Sequence, residues 1–313
     1  MKDIYQAAMF DLFKKDDRVI MLDSDLIKSL GVTDLVESFP ARVIDCGIQE
    51  ANMIGIAAGL SSIGKIPFTH TFAVFASRRV FDQVFLAGAY SKQNIRMFGT
   101  DPGICAEYNG GTHMAFEDIG IMRTVPGMTI IEPTDVTMLR NIILQLVDVY
   151  GMYYIRMARK KYTKVYEEGS EFEIGKANLL TEGSDLTIIA SGIMVSEALA
   201  AEKILREKGI RARVLDMFTI KPMDADAVIR AARETGAIVT AENHNVINGL
   251  GSAVADILSQ NAPVPLEKIG VNDTFGEVGP LDYLKKRFGL TSADIVEKAE
   301  KVLRIKQERS ADN

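Results

Sequence analysis

The sequence is poor in the residues that build disulfide frameworks and metal sites. Its 313 residues include two cysteines, three histidines and no tryptophan. Cys46 and Cys105 do not form a CxxC pair, so we expect two free thiols in a reducing compartment, with a single disulfide as the less favoured alternative. The histidines, His70, His113 and His244, have no metal-ligand spacing, which argues against a metal site made by this chain alone.

Long apolar runs and basic clusters are also missing. No uninterrupted apolar stretch reaches the roughly 20 residues that a membrane-spanning helix needs. The net charge is −6, the sequence pI is about 5.3, and charges of both signs are mixed along the chain. Without a basic stripe, neither nucleic acid nor an anionic membrane is expected as a partner. The N-terminus carries acidic residues too early for a signal peptide, so we expect a cytoplasmic protein.

Short β-branched runs alternate along the chain with longer helical patterns. Runs such as RVIML, IPFTHT and MYYIRM are typical of strands, and stretches such as 49–62 and 136–150 are typical of helices. A charged, turn-rich stretch at 160–184 interrupts this alternation. The pattern predicts an α/β protein with two three-layer domains, residues 1–165 and 183–313, each with a mostly parallel sheet covered on both faces. Functional residues of such sheets lie just after the strands.

The segment GIQEANMIGIAAGLSSIG places one carboxylate at the start of an apolar helix. Glu50 follows a predicted strand and a turn at Gly47, and residues 51–60 are apolar nearly all round, which predicts a buried helix. Small residues, among them Gly55 and Gly59, would let another helix approach closely. Glu50 could simply face water, favoured by the helix dipole. Alternatively, it is held where water is scarce, and burial would then raise its pKa and suit it to sharing a proton.

Three other motifs follow predicted strands. HTFAVFASRR contains Phe72 and Phe75, which without further context are expected to be two core phenylalanines. MLDSDLIKSLG contains Ser24 and Asp25, for which turn and helix-cap chemistry is the structural alternative, and Ser29. NGGTH ends a glycine-rich loop in His113, and a lone histidine beside a helix start is often a structural residue.

Together these motifs resemble the pyrimidine-binding domain of the transketolase family of thiamine-diphosphate enzymes, which deoxyxylulose-phosphate synthases and the beta subunits of 2-oxoacid dehydrogenases share. The resemblance covers about residues 3–305, and the second domain would be the family's C-terminal domain. It implies that Glu50 hydrogen-bonds N1′ of the aminopyrimidine and activates the cofactor, and that His113 assists at the substrate. The other residues matched to cofactor contacts are Asp25, Phe72, Phe75 and Arg78, and those matched to substrate contacts are Ser29, Thr100, Asn109 and Arg156.

The chain departs from the family pattern around the substrate. The family often has a tyrosine at the position of Arg78, an aspartate at Asn109 and a histidine at Thr100, and Lys2 stands where an upstream arginine holds the substrate phosphate. An amide donates and accepts hydrogen bonds where a carboxylate only accepts them, so the sugar can be recognised differently. The sequence does not distinguish pentose phosphates, branched sugars and sulfonated sugars as substrates.

The resemblance also implies a second polypeptide. The family holds the diphosphate through Mg²⁺ on a Gly-Asp-Gly motif, and this sequence has no Gly-Asp-Gly. We therefore expect Mg²⁺ and the diphosphate to be held by a separate N-terminal subunit, in a heterotetramer with two copies of each chain and a large interface. In the second domain, Gly249 and Gly251 resemble a weak dinucleotide fingerprint that lacks the full spacing. No role is assigned to Glu242 or His244.

The sequence thus predicts a split transketolase subunit. Its reaction would transfer a two-carbon ketol unit from a ketose, phosphorylated or otherwise anionic, to an aldose. One alternative is another thiamine-diphosphate acyl transfer, by a subunit similar to deoxyxylulose-phosphate synthase or to a dehydrogenase beta chain. The other is a nucleotide-binding or scaffold module that has the fold without catalysis.

Overall fold

The computed structural model describes residues 1–160 and 162–311, which divide into two units. The first unit contains Met1–Ala106 and His113–Phe172. The second contains Glu107–Thr112 and the chain from Glu173 onward.

Six parallel strands form the sheet of the first unit. They are β1 (Val19–Asp23), β2 (Val43–Asp45), β3 (Ile66–Phe72), β4 (Ile95–Thr100), β5 (Met128–Ile131) and β6 (Met152–Met157). Their order is β5-β6-β4-β3-β1-β2. β2 lies on one side of β1 and β3 on the other, so the strand order reverses between β1 and β3. All residues of β1, β4 and β6 are buried, which fits strands that are mostly apolar and are covered on both faces of the sheet.

The helices of the first unit cover its sheet. They are α1 (Lys2–Lys15), α2 (Ile27–Leu30), α3 (Thr33–Ser38), α4 (Glu50–Ser62), α5 (Ala73–Ala76), α6 (Phe81–Gln83), α7 (Asp118–Arg123) and α8 (Val136–Gln145). A π-helical turn at Val84–Tyr90 follows α6, and 3₁₀ turns lie at Arg78–Val80, Gly103–Asn109 and Gly111–His113. α1 packs against α8, and Asp135 caps α8 by accepting the Met138 N–H at 3.0 Å.

The second unit repeats this architecture with five strands in its sheet. They are β7 (Asn178–Thr181), β8 (Leu186–Ala190), β9 (Ala212–Asp216), β11 (Ile238–Asn245) and β12 (Leu266–Val271), and a short strand, β10 (Thr219–Lys221), follows β9. The order is β12-β11-β8-β9-β7, and only β7 is antiparallel to its neighbour. The helices are α9 (Met194–Glu207), α10 (Ala225–Thr235), α11 (Leu250–Asn261), α12 (Leu281–Arg287) and α13 (Ser292–Ala311). The prediction of an α/β protein with two mostly parallel sheets is confirmed.

Helix α4 is buried on one face only, which corrects the expectation that it is buried all round. Met53, Ile54 and Ala57 face the core, whereas Gly55 and Gly59 are exposed. A Cβ added at either glycine would meet no atom within 4 Å. Glycine inside a helix costs about 1 kcal/mol relative to alanine, and no contact within this chain's described residues offsets that cost.

Candidate active site

Polar and aromatic side chains collect at the carboxyl ends of three neighbouring strands. β1 ends at Asp23, β3 at Phe72 and β4 at Thr100, and β1 and β3 flank the point where the strand order reverses. Ligands of parallel α/β sheets bind in the crevice outside this edge, next to the reversal. The candidate site lies there.

Glu50 is the buried carboxylate of the site. It is the first residue of α4, where the helix dipole favours a negative charge, and its side chain is only 3% exposed. A carboxylate buried to this extent requires a partner. Arg79 provides it, because Nη1 donates to Glu50 Oε1 at 2.8 Å. The alternative of a helix-start carboxylate that faces water is therefore wrong.

Phe72, Phe75 and His113 form an aromatic cluster. The two phenylalanine ring centroids are 6.0 Å apart, and the His113 ring lies 5.2 Å from Phe72 and 5.3 Å from Phe75, with all three pairs edge-to-face. Phe72 ends β3 and Phe75 lies in α5 directly after it, so one tight strand-to-helix turn brings both rings to the same side. All three side chains are half-buried, which leaves ring surface for a flat ligand.

Two arginines that the sequence analysis missed lie on these rings. The Arg79 guanidinium carbon is 3.7 Å from the Phe75 centroid, so Arg79 joins the cluster to Glu50. The Arg159 guanidinium carbon is 4.8 Å from the Phe72 centroid. Contacts of this kind stabilise by about 0.5–1 kcal/mol at exposed sites. The sequence feature that could have identified them is an arginine in or next to a matched motif. Charge alone, however, does not tell which of several nearby arginines faces a ring.

Arg159 also ties α2, which follows β1, to the loop after β4. Its guanidinium donates to the Ser29 hydroxyl and, from Nε at 2.7 Å, to Asp101 Oδ2. Its backbone N–H donates to Asp101 Oδ1 at 2.8 Å. The Lys2 backbone N–H donates to the Arg159 carbonyl at 3.4 Å, and the Lys2 side chain lies against Gly31, at the end of α2. One exposed hydroxyl, two cations and the buried Asp101 carboxylate therefore meet at this corner.

The acidic loop after β1 is held by a second buried carboxyl, Asp23. Its Oδ1 accepts the Leu26 N–H at 2.5 Å, and its Oδ2 has no hydrogen-bond partner within the described part of the chain. Burial raises the pKa of Asp23 to about 7, with a smaller contribution from nearby Asp45, against a lowering by the bond from Leu26. Asp25 is exposed at φ 61°, and its N–H donates to Asp45 Oδ1 at 3.0 Å. A cofactor contact of its carboxylate stays a prediction.

Arg156 is buried in the core, so its matched role as a ligand for the substrate anion is wrong. Its Nε donates to Asp118 Oδ2 at 2.7 Å and its Nη1 to Glu132 Oε1 at 2.5 Å, and all three side chains are buried. Burial by itself would lower the pKa of Arg156, but the two carboxylates raise it above its ordinary value. A guanidinium held by two buried carboxylates cannot also receive a substrate. Arg159, three residues later, lies in the site instead.

Arg78 was matched to a cofactor contact, and this role stays a prediction. Arg78 Nη1 pairs with Glu117 Oε1 at 2.9 Å, on the surface. The next residue, Arg79, is the one that reaches Glu50. A shift of one residue along a 3₁₀ turn changes the direction of the side chain by about a third of a turn, so Arg78 and Arg79 reach different carboxylates.

Thr100 and Asn109 were matched to substrate contacts. Thr100 is 2% exposed, and its hydroxyl donates to the Thr71 carbonyl at 3.2 Å. A role of Thr100 at the substrate stays a prediction. Asn109 is exposed and lies in the segment Glu107–Thr112 of the second unit. Its contact with a substrate stays a prediction.

The GLGSA segment of the second unit does not form a phosphate site. Fully buried Glu242 occupies the N-terminus of α11, where Oε2 accepts the Leu250 N–H at 2.7 Å and Oε1 accepts the Gly251 N–H at 2.8 Å. A bound phosphate would need these same N–H groups. A Cβ at Gly249 would lie 1.8 Å from Glu242 Oε2, so the glycine admits the carboxylate. This arrangement argues against the nucleotide-binding alternative.

The site offers polar and aromatic chemistry without a metal cluster. Within residues 1–160 and 162–311, no group of three or more His, Cys, Asp or Glu side chains is arranged to hold a metal ion. None of the helices in this described part has the length and apolar character to cross a membrane. A buried carboxylate beside half-buried aromatic rings is suited to hold a flat nitrogen heterocycle by stacking and one hydrogen bond.

Two sequence models of known families match the chain. The model described as the transketolase pyrimidine binding domain matches residues 1–164. The model described as the transketolase C-terminal domain matches residues 175–295.

Curated proteins and a solved structure are similar over nearly the whole chain. A protein of Clostridium sp. strain MSTE9 named 6-deoxy-6-sulfo-D-fructose transketolase subunit SqwH is 52% identical, covering 99% of this chain and 96% of that protein. One of Phocaeicola vulgatus, named as a subunit of an apulose-4-phosphate transketolase, is 39% identical, covering 94% of this chain and 95% of that protein. A structure described as a split gene transketolase, inactive beta4 tetramer, is 42% identical with a TM-score of 0.90, covering 97% and 98% of the two chains.

Proposed function

We infer that this chain, which belongs to the transketolase family of thiamine-diphosphate enzymes, is the subunit of a split transketolase that transfers a two-carbon ketol unit from an anionic ketose to an aldose. One observation carries the proposal. Buried Glu50 is joined through Arg79 to Phe75, and Phe72 and His113 complete the cluster at the carboxyl edge of the sheet.

The residues present fit the pyrimidine half of thiamine diphosphate. Phe75 and Phe72 offer ring surface, and Glu50 offers a buried carboxyl whose partner in this structure is the half-exposed Arg79. When bound, the cofactor supplies the nucleophilic carbon and the electron sink for carbon–carbon bond transfer. Glu50 would hold and share the proton at N1′, as the family resemblance implies. His113 packs edge-on against both phenylalanines and would donate to, or accept from, the oxygens of the donor sugar.

The corner formed by Ser29, Arg159 and Lys2 would hold the anionic tail of the sugar. Arg159 has a planar guanidinium suited to tetrahedral oxyanions, sulfonate and phosphate alike. Lys2 adds a flexible point charge beside α2. The names of the two curated relatives contain one sulfonated and one phosphorylated sugar. We therefore propose an anionic ketose donor.

The exposed glycine face of α4 would be covered by another chain. Gly55 and Gly59 leave room for close approach of a helix backbone, and the neighbouring π-helical turn exposes Leu86 (52%) and Tyr90 (79%). We propose an N-terminal partner subunit that supplies the diphosphate and Mg²⁺ ligands, in a heterotetramer with two copies of this chain. The similar structure, described as an inactive tetramer of beta chains, supports a need for that partner.

Reconstitution with the N-terminal partner tests this function. Binding of thiamine diphosphate with Mg²⁺ is measured by calorimetry for each chain and for the mixture, and we expect strong binding only for the mixture. Glu50→Gln should lower ketol transfer at least about 10²-fold, the scale of general acid–base catalysis. The exposed Glu37→Gln is the matched control and should leave the rate unchanged. Tight binding to this chain alone, or full activity of Glu50→Gln, would contradict the proposal.

The donor is tested with 6-deoxy-6-sulfofructose, fructose 6-phosphate and uncharged fructose. Arg159→Met should lower kcat/KM for the two anionic donors about 10- to 100-fold, the size of a lost charged hydrogen bond, and leave fructose nearly unchanged. Arg159→Lys should recover part of the loss. An equal loss for all three donors would mean that Arg159 acts only through the structure of the loops. Transfer of an acyl group to a lipoyl acceptor or formation of a deoxyxylulose phosphate would favour the alternative thiamine-diphosphate reactions.

A further inference from the structure

The guanidinium of Arg79 lies on the two groups that a bound pyrimidine would need. It is 2.8 Å from Glu50 Oε1 and 3.7 Å from the Phe75 ring centroid. A ring that stacks on this face of Phe75 and hydrogen-bonds this carboxylate occupies the same space. The two occupants therefore exclude each other.

The two partners of this ion pair differ in their freedom to move. Glu50 is 3% exposed and fixed in the first turn of α4, whereas the Arg79 side chain is 43% exposed on a 3₁₀ turn. Arg79 can therefore turn into water and keep its charge hydrated. Glu50 cannot, so the carboxylate needs a new partner whenever Arg79 leaves.

We propose that Arg79 is a positioning residue that occupies the pyrimidine site of the empty subunit, keeps the Glu50 carboxylate paired and oriented, and is displaced when thiamine diphosphate binds. This inference rests on the proposed function, because it concerns the same cofactor. In the empty subunit the guanidinium satisfies Glu50, and in the loaded subunit a ring nitrogen takes its place. Binding of the cofactor is then an exchange of partners at one carboxylate.

The exchange predicts that removing Arg79 tightens cofactor binding. The competing contacts are one ion pair with a half-exposed cation and one cation–π contact, which together correspond to about a tenfold change in affinity. We therefore expect the dissociation constant of thiamine diphosphate for the reconstituted complex to fall about tenfold in Arg79→Ala. Arg79→Gln, which keeps a neutral donor, should lie between Arg79→Ala and the wild type. The control is Arg18→Ala, which removes an exposed ion pair with Asp16 ahead of β1 and should leave the affinity unchanged.

A double-mutant cycle separates the exchange at Glu50 from other effects. In a Glu50→Gln background the ion pair is absent, so Arg79→Ala should tighten binding only about threefold, the share of the cation–π contact. Without cofactor, Arg79→Ala should unfold at a lower temperature than the wild type, because Glu50 is left buried and unpaired. The rise of the unfolding temperature on addition of thiamine diphosphate with Mg²⁺ should in turn be larger than for the wild type.

Each outcome is decisive once the wild-type complex is shown to bind the cofactor. Weaker or unchanged binding in both Arg79→Ala and Arg79→Gln would overturn the inference and leave the proposed function intact. If Arg79→Ala increases cofactor affinity equally in the Glu50→Gln background and in the wild-type background, the exchange of partners at Glu50 is overturned. Absence of cofactor binding by the wild-type complex would instead refute the proposed function itself.

Discussion

Replacing Arg156 by methionine should unfold the first unit far more easily and should not act through substrate binding. Arg156 is fully buried and donates to Asp118 at 2.7 and 3.1 Å and to Glu132 at 2.5 Å. Methionine has similar length but no charge, so two buried carboxylates would lose their common cation. Removing one partner of a buried ion pair costs about 3–5 kcal/mol, a large part of the roughly 5–15 kcal/mol that typically stabilises a domain.

The assay is urea denaturation of the whole chain, followed by circular dichroism. With a slope of about 2–3 kcal/mol per molar urea, the loss corresponds to a midpoint lowered by about 1–2 M. The triple variant Arg156→Met, Asp118→Asn, Glu132→Gln removes all three charges and should recover much of the loss, because no uncompensated charge remains. Arg18→Met, which removes an exposed ion pair, is the control and should leave the midpoint unchanged.

A different result would refute this reasoning. If Arg156→Met keeps the wild-type midpoint but raises KM for an anionic donor, the guanidinium contacts the substrate and the buried network is not its main role. If the triple variant is as unstable as the single variant, the unpaired carboxylates are not the cause of the loss.

Three further predictions concern other parts of the fold. Burial raises the pKa of Asp23 from 3.8 to about 7, so its contribution to stability is present at low pH and is lost as the pH rises through about 7. Urea titrations from pH 4 to 8 should therefore show Asp23→Asn gaining stability relative to the wild type as the pH rises, by at most about 4 kcal/mol, and a constant difference would contradict this. Gly59→Ala should stabilise the chain alone by about 1 kcal/mol and weaken its assembly in sedimentation, whereas unchanged assembly would mean that α4 is not an interface. Gly249→Ala should lower the unfolding midpoint, because its Cβ would lie 1.8 Å from Glu242 Oε2, and the effect should shrink in a Glu242→Ala background.

Much of the fold was predictable because parallel strands and their covering helices have strong local patterns. The mostly apolar composition of β1, β4 and β6 reflects burial on both sheet faces. The short strands β7 and β10, of four and three residues, were not predicted, since so few residues carry little pattern. The exposed glycine face of α4 was not predicted either, because apolar composition does not distinguish a core from a surface that another chain covers.

The motifs that form the candidate site were predictable from the sequence, whereas the arginines that lie in it were not. Glu50, Phe72, Phe75 and His113 were singled out from the sequence, and the tertiary structure brings the three rings within 6.0 Å of one another. Arg78 and Arg156 were matched to site roles, but their side chains pair elsewhere.

The sequence by itself determined the alternation of strands and helices, the two mostly parallel sheets, and the family, because these depend on periodicity and on motifs that are contiguous in the chain. Only the tertiary structure decided that Arg79 reaches Glu50, that Arg159 joins Ser29 to Asp101, and that Glu242 fills the start of α11. The physical reason is direction. A side chain's partner depends on where its Cα–Cβ bond points in the folded chain. Neighbouring residues in a turn point in different directions, and the sequence shows that a charged residue is present but not which way it points.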